Sequence, residues 1–168
     1  MKARPKTIEE INKTLEDIME EIKQEELFET LDRIDRDMDT YPNPSEKQFY
    51  QKCQDGVNLL GNKIIEYYYT LSAILESYIV KRSFELSVEF EASGKDKSIT
   101  VNGKTITLSR VPSKDTLSDA AKSEVEDLNY AVIVLKGWKN RSISSLQTAR
   151  SHCYSGIDKD KEDNEDKE

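Results

Sequence analysis

From Phe49 onward apolar side chains return every three or four residues, through Cys53, Val57, Leu60, Ile64, Tyr67, Leu71 and Ile74 to Tyr78. A spacing close to 3.6 residues places all of them on one side of an α-helix. The stripe holds to about Val80, some 35 residues and on the order of 50 Å at ~1.5 Å per residue. A helix of that length needs another element to cover its stripe, so the chain must pack helix on helix. Two more stripes can do so. Ile8, Ile11, Leu15, Ile18 and Ile22, followed after a slip by Leu27, Leu31, Ile34 and Met38, predict an amphipathic helix over 8–38 with one interruption. Leu117, Ala121, Leu128, Val132, Leu135, Trp138, Ile143, Leu146 and Ala149 predict a third helix from about Asp115 to Cys153.

The boundaries have their own signals. Thr7-Ile8-Glu9-Glu10 and Ser45-Glu46-Lys47-Gln48 are capping-box patterns, in which the hydroxyl and the carboxylate or amide satisfy backbone N–H groups that the first turn leaves unpaired. Tyr41-Pro42-Asn43-Pro44 separates the first two helices, because the residue before each proline is pushed out of helical angles. After Val80 the period becomes two: Phe84, Leu86, Val88 and Phe90 alternate with Glu85, Ser87, Glu89 and Glu91, which predicts a strand. Ser98 to Val101 and Lys104 to Leu108 flank Asn102-Gly103, the pair a type I′ hairpin turn requires.

These elements define a mainly α fold: a long antiparallel helical pair interrupted by a small antiparallel β-hairpin or meander, with an N-terminal amphipathic helix. The expected organisation is an acidic helix and proline turn over 1–44, a helix, hairpin and helix core over 45–156, and a disordered acidic tail over 157–168. Counting outward from the hairpin sets Gly61 and Gly137 at one level of the pair, and Cys53 and Cys153 together at its far end. The two cysteines read as small buried apolar residues, with a bridge open to them but not required.

Charge is unevenly placed. The net charge is -8, yet residues 1–45 carry seven basic and thirteen acidic side chains, 158–168 carry three and seven, and 46–157 carry fifteen and thirteen. Acidity confined to the ends leaves room for a local basic patch to act within a Debye length of roughly 10 Å. No segment is long and apolar enough to span a bilayer, and residues 1–5 lack an apolar signal core, so the expected partners include no membrane and the expected compartment is the cytoplasm.

The chain lacks a Walker loop, a glycine-rich dinucleotide turn and a Cys/His cluster, so neither a cofactor nor a metal is implied and an enzyme is not expected. His152, the one histidine, reads as a helix-end residue, there being no nucleophile in a recognisable setting beside it. Asp35, Asp37, Asp39, Asn43 and Glu46 fall at calcium-loop spacing, but Thr40 stands where such a loop needs glycine, which favours a plain acidic helix end. Basic residues gather at Lys81-Arg82, expected at the junction of helix and sheet, and at Lys136, Lys139 and Arg141 around Trp138. Such cations can track phosphates, with an exposed aromatic stacking on a base. They can equally solvate a helix whose Trp138 is core. Tyr67-Tyr68-Tyr69 cannot all face one way on a helix, so at least one ring must leave the core.

Two stretches resemble the UvsY-type recombination mediators of T-even-like phages over roughly residues 46–155. Tyr78-Ile79-Val80-Lys81-Arg82 is similar to that family's Leu-Lys-Ala-Arg DNA-binding motif, although its two basic residues are adjacent where the family separates them by one. Ile133-Val134-Leu135-Lys136-Gly137-Trp138-Lys139, leading to Ser142-Ile143-Ser144-Ser145-Leu146-Gln147, resembles its assembly helix. The resemblance implies a homo-oligomer that binds single-stranded DNA, loosens a single-strand-binding protein and loads a RecA-like recombinase. Lys81, Arg82, Lys136, Lys139 and Arg141 would be the DNA contacts, and Leu128, Val132, Leu135, Trp138, Ile143 and Leu146 the assembly surface. The alternative is a helical structural or adaptor protein that assembles without touching nucleic acid.

Overall fold

The computed structural model describes the backbone of residues 7–40 and 47–165, and side chains over 7–40 and 48–153. Five helices and one hairpin follow in order: α1 (Ile8–Gln24), α2 (Leu27–Thr40), α3 (Lys47–Ala92), a 3-10 turn (Gly94–Asp96), β1 (Ser98–Val101), β2 (Lys104–Thr107), α4 (Lys114–Ser123) and α5 (Glu126–Glu165). The protein is mainly α with a small antiparallel β-hairpin. It divides into two compact units, one formed by Met1–Asp17 and Tyr69–Ile133, the other by Ile18–Tyr68 and Val134–Glu168. Helices α1, α3 and α5 each contribute to both.

The first capping box is made as its sequence directs: the Thr7 N–H donates to the Glu10 carboxylate at 2.7 Å, and the Glu10 N–H donates to the Thr7 hydroxyl at 3.2 Å. The second pattern, the proline segment and the Asn43 and Glu46 positions of the calcium spacing lie wholly or partly outside the described residues. The slip between Ile22 and Leu27 is a break, with Glu26 at φ 48° re-phasing the stripe so that both flanking residues stay buried.

In the hairpin unit, Asn102 (φ 51°) and Gly103 (φ 69°) supply the positive-φ turn. Ser98 then pairs with Thr107, Ile99 with Ile106, Thr100 with Thr105 and Val101 with Lys104. Ile99 and Val101 enter a core cluster with Leu86 of α3 and Leu117 of α4. The expected strand over 84–90 is instead the end of α3. Extending an existing helix adds one hydrogen bond per residue without a new nucleus, and nothing interrupts it before Gly94 (φ 57°). The two-residue alternation is therefore split around the helix, two residues being about 200° of turn. Leu86 is buried and Phe90 packs on the core, while Phe84 and Val88 face outward. Lys81-Arg82 consequently lies inside a helix, about three turns before its end, not at a junction.

The third predicted helix is broken at Glu124 and Val125, between α4 and α5. Ser113 caps α4, its hydroxyl accepting from the Thr116 N–H at 3.2 Å. The helix direction reverses between α3 and the following helices: Tyr78 and Arg82 reach Glu124, and one turn further Leu86 shares a cluster with Leu117.

In the other unit, α3 and α5 are again antiparallel. Cys53 clusters with Ala149 and Cys153, Gly61 faces Ser142, and Lys139 lies over the Tyr68 ring at 4.3 Å. Gly61 and Gly137 do not share a level. A Cβ at Gly61 would stand 3.2 Å from the Ser142 Cβ, whereas one at Gly137 would meet nothing within 4 Å. Counting from the hairpin failed because α3 runs on to Ala92 and the third helix breaks. Cys53 and Cys153 do come together, both as thiols, and burial pushes the Cys53 thiol above its ordinary range. Helix α5 is described as far as Glu165.

Candidate functional site

The most elaborate polar cluster surrounds Glu124, whose side chain is only 7% exposed. The break between α4 and α5 turns this carboxylate toward α3. Arg82 Nε donates to its Oε2 at 2.7 Å and Arg82 Nη2 to its Oε1 at 3.0 Å, a two-pronged pair. Arg82 Nη2 also donates to the Thr100 carbonyl of β1 at 2.7 Å, the Tyr78 hydroxyl to Glu124 Oε2 at 2.7 Å, and the Asn102 N–H to Oε1 at 3.4 Å. The Asn102 amide donates to the Ser123 carbonyl at 3.2 Å, fixing the hairpin turn on the same break. Burial pushes the Glu124 carboxyl up, but the hydrogen bonds from Arg82 and Tyr78 outweigh it and hold it below the usual carboxylate range. Burial, and then the bond to Glu124, raise the Tyr78 phenol.

This cluster forms one wall of a cleft of about 390 Å³ that Ile8, Lys81, Glu85 and Gly103 also line. Lys81 is half-exposed and lies 3.5 Å from Glu85. Its neighbour Arg82 is a different matter: it joins α3, β1 and the break between α4 and α5, and a phosphate could reach it only by displacing a buried carboxylate.

The remaining expected DNA contacts are on α5 in the other unit. Arg141 bridges to α2, pairing with Asp32 and, at 2.7 Å, with Asp35, the first residue of the calcium spacing. It also lies 4.9 Å from the centre of the Trp138 ring, which itself stacks on Phe28 at 4.3 Å. Lys139 is over Tyr68, and Lys136 is exposed. Trp138 is thus half-buried between helices and not a free stacking platform. His152 likewise stacks on Tyr50, at 4.6 Å. Of the expected assembly residues, Leu128 and Leu135 are core, Val132, Trp138 and Leu146 are half-buried, and Ile143 is exposed. In the tyrosine run Tyr69 is the ring that leaves the core, while burial and a hydrogen bond to Glu21 raise the Tyr67 phenol.

Two features escaped the sequence reading. Val80, Phe84 and Val88, spaced by four, form an exposed outer stripe on α3 that the strand expectation hid. The segment 93–114 carries Lys95, Lys97, Lys104, Arg110 and Lys114 against a single acid, Asp96, and all five are exposed. A running count of charge would have found the second. Among the described residues no three His, Cys, Asp or Glu side chains are grouped to hold a metal, and no helix is long and apolar enough to cross a membrane. Compared with protein-family models, curated proteins and solved structures, the chain matches none.

Proposed function

We infer that the chain acts by assembly, as a helical adaptor or structural protein whose outer α3 face seats on a second copy of itself. The observation that carries this is the stripe of Val80, Phe84 and Val88, which are 73%, 70% and 49% exposed on the face opposite buried Leu86. Large apolar side chains in a row at helical spacing mark an interaction surface, where scattered ones do not. The stripe suits self-pairing. An antiparallel two-fold through Phe84 sets Val80 of each copy against Val88 of the other, so one patch serves both subunits. Fully burying each such side chain contributes roughly 1.5–3 kcal/mol.

Light scattering during size-exclusion chromatography tests the reading. Wild type at tens of micromolar is expected above the 19.3 kDa of one chain, and Phe84→Glu at 19.3 kDa with its helix content unchanged. A monomeric wild type overturns it.

A recombination mediator that binds single-stranded DNA, loosens a single-strand-binding protein and loads a RecA-like recombinase is the second reading. It too calls for several copies, since linked weak sites gain avidity without new contacts. Its support is the resemblance around Lys81 and Lys136, both exposed. Arg82 cannot serve it while held by Glu124.

A further inference from the structure

The hairpin has two edges, and the fold treats them differently. The Leu108 N–H donates to the Lys97 carbonyl at 2.7 Å, which makes these two residues a hydrogen-bonded pair. Bonded and non-bonded pairs alternate along an antiparallel ladder. Ile99 therefore bonds Ile106 and Val101 bonds Lys104, while Ser98, Thr100, Thr105 and Thr107 turn their backbone groups outward. On β1 such groups meet the rest of the unit: the Ser98 N–H donates to the Ser93 hydroxyl at 3.0 Å, and the Thr100 carbonyl accepts from Arg82 at 2.7 Å. On β2 they do not. All four residues of β2 are exposed, and among the described residues no hydrogen bond reaches the outward N–H and C=O groups of Thr105 and Thr107.

An open edge of this kind is completed by an added strand. Side chains decide which strand fits. Ile106 shares a face with its cross-strand partner, buried Ile99, yet on the outermost strand it is 44% exposed. Lys104, two residues along, is on the same face, and Arg110 follows the other end of the edge. With Lys95, Lys97 and Lys114 they give the segment 93–114 five exposed cations against one acid, Asp96. None of the five makes an ion pair or hydrogen bond through its side chain among the described residues. A second copy of the hairpin is therefore a poor occupant. Two such edges side by side would oppose like charges, and lysine on an edge guards against self-pairing. A segment bearing carboxylates meets the opposite field. The unused groups are peptide donors alternating with peptide acceptors, which another polypeptide matches and a phosphodiester chain does not.

We propose that the free edge of β2 accepts an extended acidic segment of a partner protein as a third, antiparallel strand, with an apolar side chain beside Ile106 and carboxylates at both ends for Lys104 and Arg110. Backbone bonds to Thr105 and Thr107 hold the segment, and the cations decide which segments are accepted. The site is separate from the outer stripe of α3 and does not rest on the assembly reading.

The probe is the labelled peptide Asp-Glu-Thr-Val-Thr-Glu-Asp, titrated with the full chain at low salt and read by fluorescence anisotropy. Wild type is expected to bind it, and bound peptide to slow amide hydrogen exchange at Thr105 and Thr107 but not at Ile106, whose N–H the hairpin already bonds. The same peptide N-methylated at its central Thr-Val-Thr keeps its charge and loses its donors, and is expected to bind about ten-fold or more weakly. Thr105→Pro removes one outward N–H at a position where edge strands tolerate proline, for an expected loss of about five-fold or more. Lys104→Gln should lose about two- to five-fold, the difference fading at about 0.5 M NaCl. Four outcomes overturn the proposal: no binding of the peptide by wild type; equal binding of the N-methylated peptide, which would reduce the edge to a patch of charge; displacement by oligo-dT as effective as by unlabelled peptide, which would make this a nucleic-acid surface; or a particle mass that falls on Thr105→Pro, which would seat a second copy on the edge. Circular dichroism of Thr105→Pro is expected to equal wild type, and the N-methylated peptide tests the edge without altering the chain.

Discussion

Both units hold an arginine between two helices with carboxylates, and the surroundings make the two clamps different devices. Arg82 is 21% exposed and its main partner Glu124 only 7%, whereas Arg141 is 42% exposed, with Asp32 at 43% and Asp35 at 18%. In the hairpin unit the pair also takes the Thr100 carbonyl, the Tyr78 hydroxyl and the Asn102 N–H. In the other unit the arginine leans on the Trp138 ring, and it and Asp32 remain wetted while Asp35 is partly covered. A charge withdrawn from water depends on its partner, because losing that partner leaves an uncompensated charge in a poor solvent. A charge that keeps its water loses little. The same side chain is therefore a structural pin in one unit and a surface latch in the other.

Deleting each arginine is the direct way to break this comparison, and Arg82→Ala should have the largest effect in the molecule. It strands the buried Glu124 carboxylate and frees the Thr100 carbonyl, for an expected loss of about 3 kcal/mol. Urea denaturation followed by circular dichroism measures it. A loss under ~1 kcal/mol, the range of exposed pairs, would mean that Glu124 is solvated and that the pin is no different from the latch.

The three helical stripes, the hairpin turn and the first capping box were legible because each is written locally, in spacing or in a residue pair with one conformation open to it. The segment 84–91 was misread because its alternation suits a half-buried strand and also a helix exposed on one side. Only tertiary context decides that Phe84 stays in solvent. Helix ends were blurred for the same reason: Glu124 breaks a helix by meeting Arg82, forty-two residues away. At the candidate site the positive charges were visible but not their occupancy. Arg82, Arg141 and Lys63 all look available in a sequence and all turn out to be paired, the last with Glu25 at 2.6 Å. The exposed hairpin cations form no motif, and only a running count of charge over 93–114 would have marked them.

Glycines sharpen the contrast between packed and open helix faces within the second unit. Gly137 lies inside α5 with open space at its Cβ position, so Gly137→Ala should gain about 1 kcal/mol from helix propensity and a stiffer unfolded chain. Gly61→Ala has the same local gain in α3, but its methyl would press on Ser142, which is buried and donates to the Lys139 carbonyl at 2.8 Å. Overpacking of that kind costs typically 1–3 kcal/mol, so the net effect should be a loss. Thermal melts of the two variants should move in opposite directions. Movement in the same direction would show that α3 and α5 do not approach closely at Ser142.

The smallest effect expected is that of Arg141→Ala, and its salt dependence is more telling than its size. Exposed pairs contribute roughly 0.2–1 kcal/mol, and the approach to Trp138 adds about 0.5 kcal/mol at a solvent-facing site. The loss in low-salt urea should therefore be about 1 kcal/mol or less. Raising NaCl to 1 M shortens the Debye length to about 3 Å, so the wild-type clamp itself weakens and the difference between wild type and variant should shrink toward the ring contact alone. The Arg82→Ala difference should persist at the same salt, since buried pairs are screened far less. Differences that shrink together would make both arginines surface latches; differences that both persist would place Asp32 and Asp35 in an interior where Arg141, like Arg82, holds helices together from within.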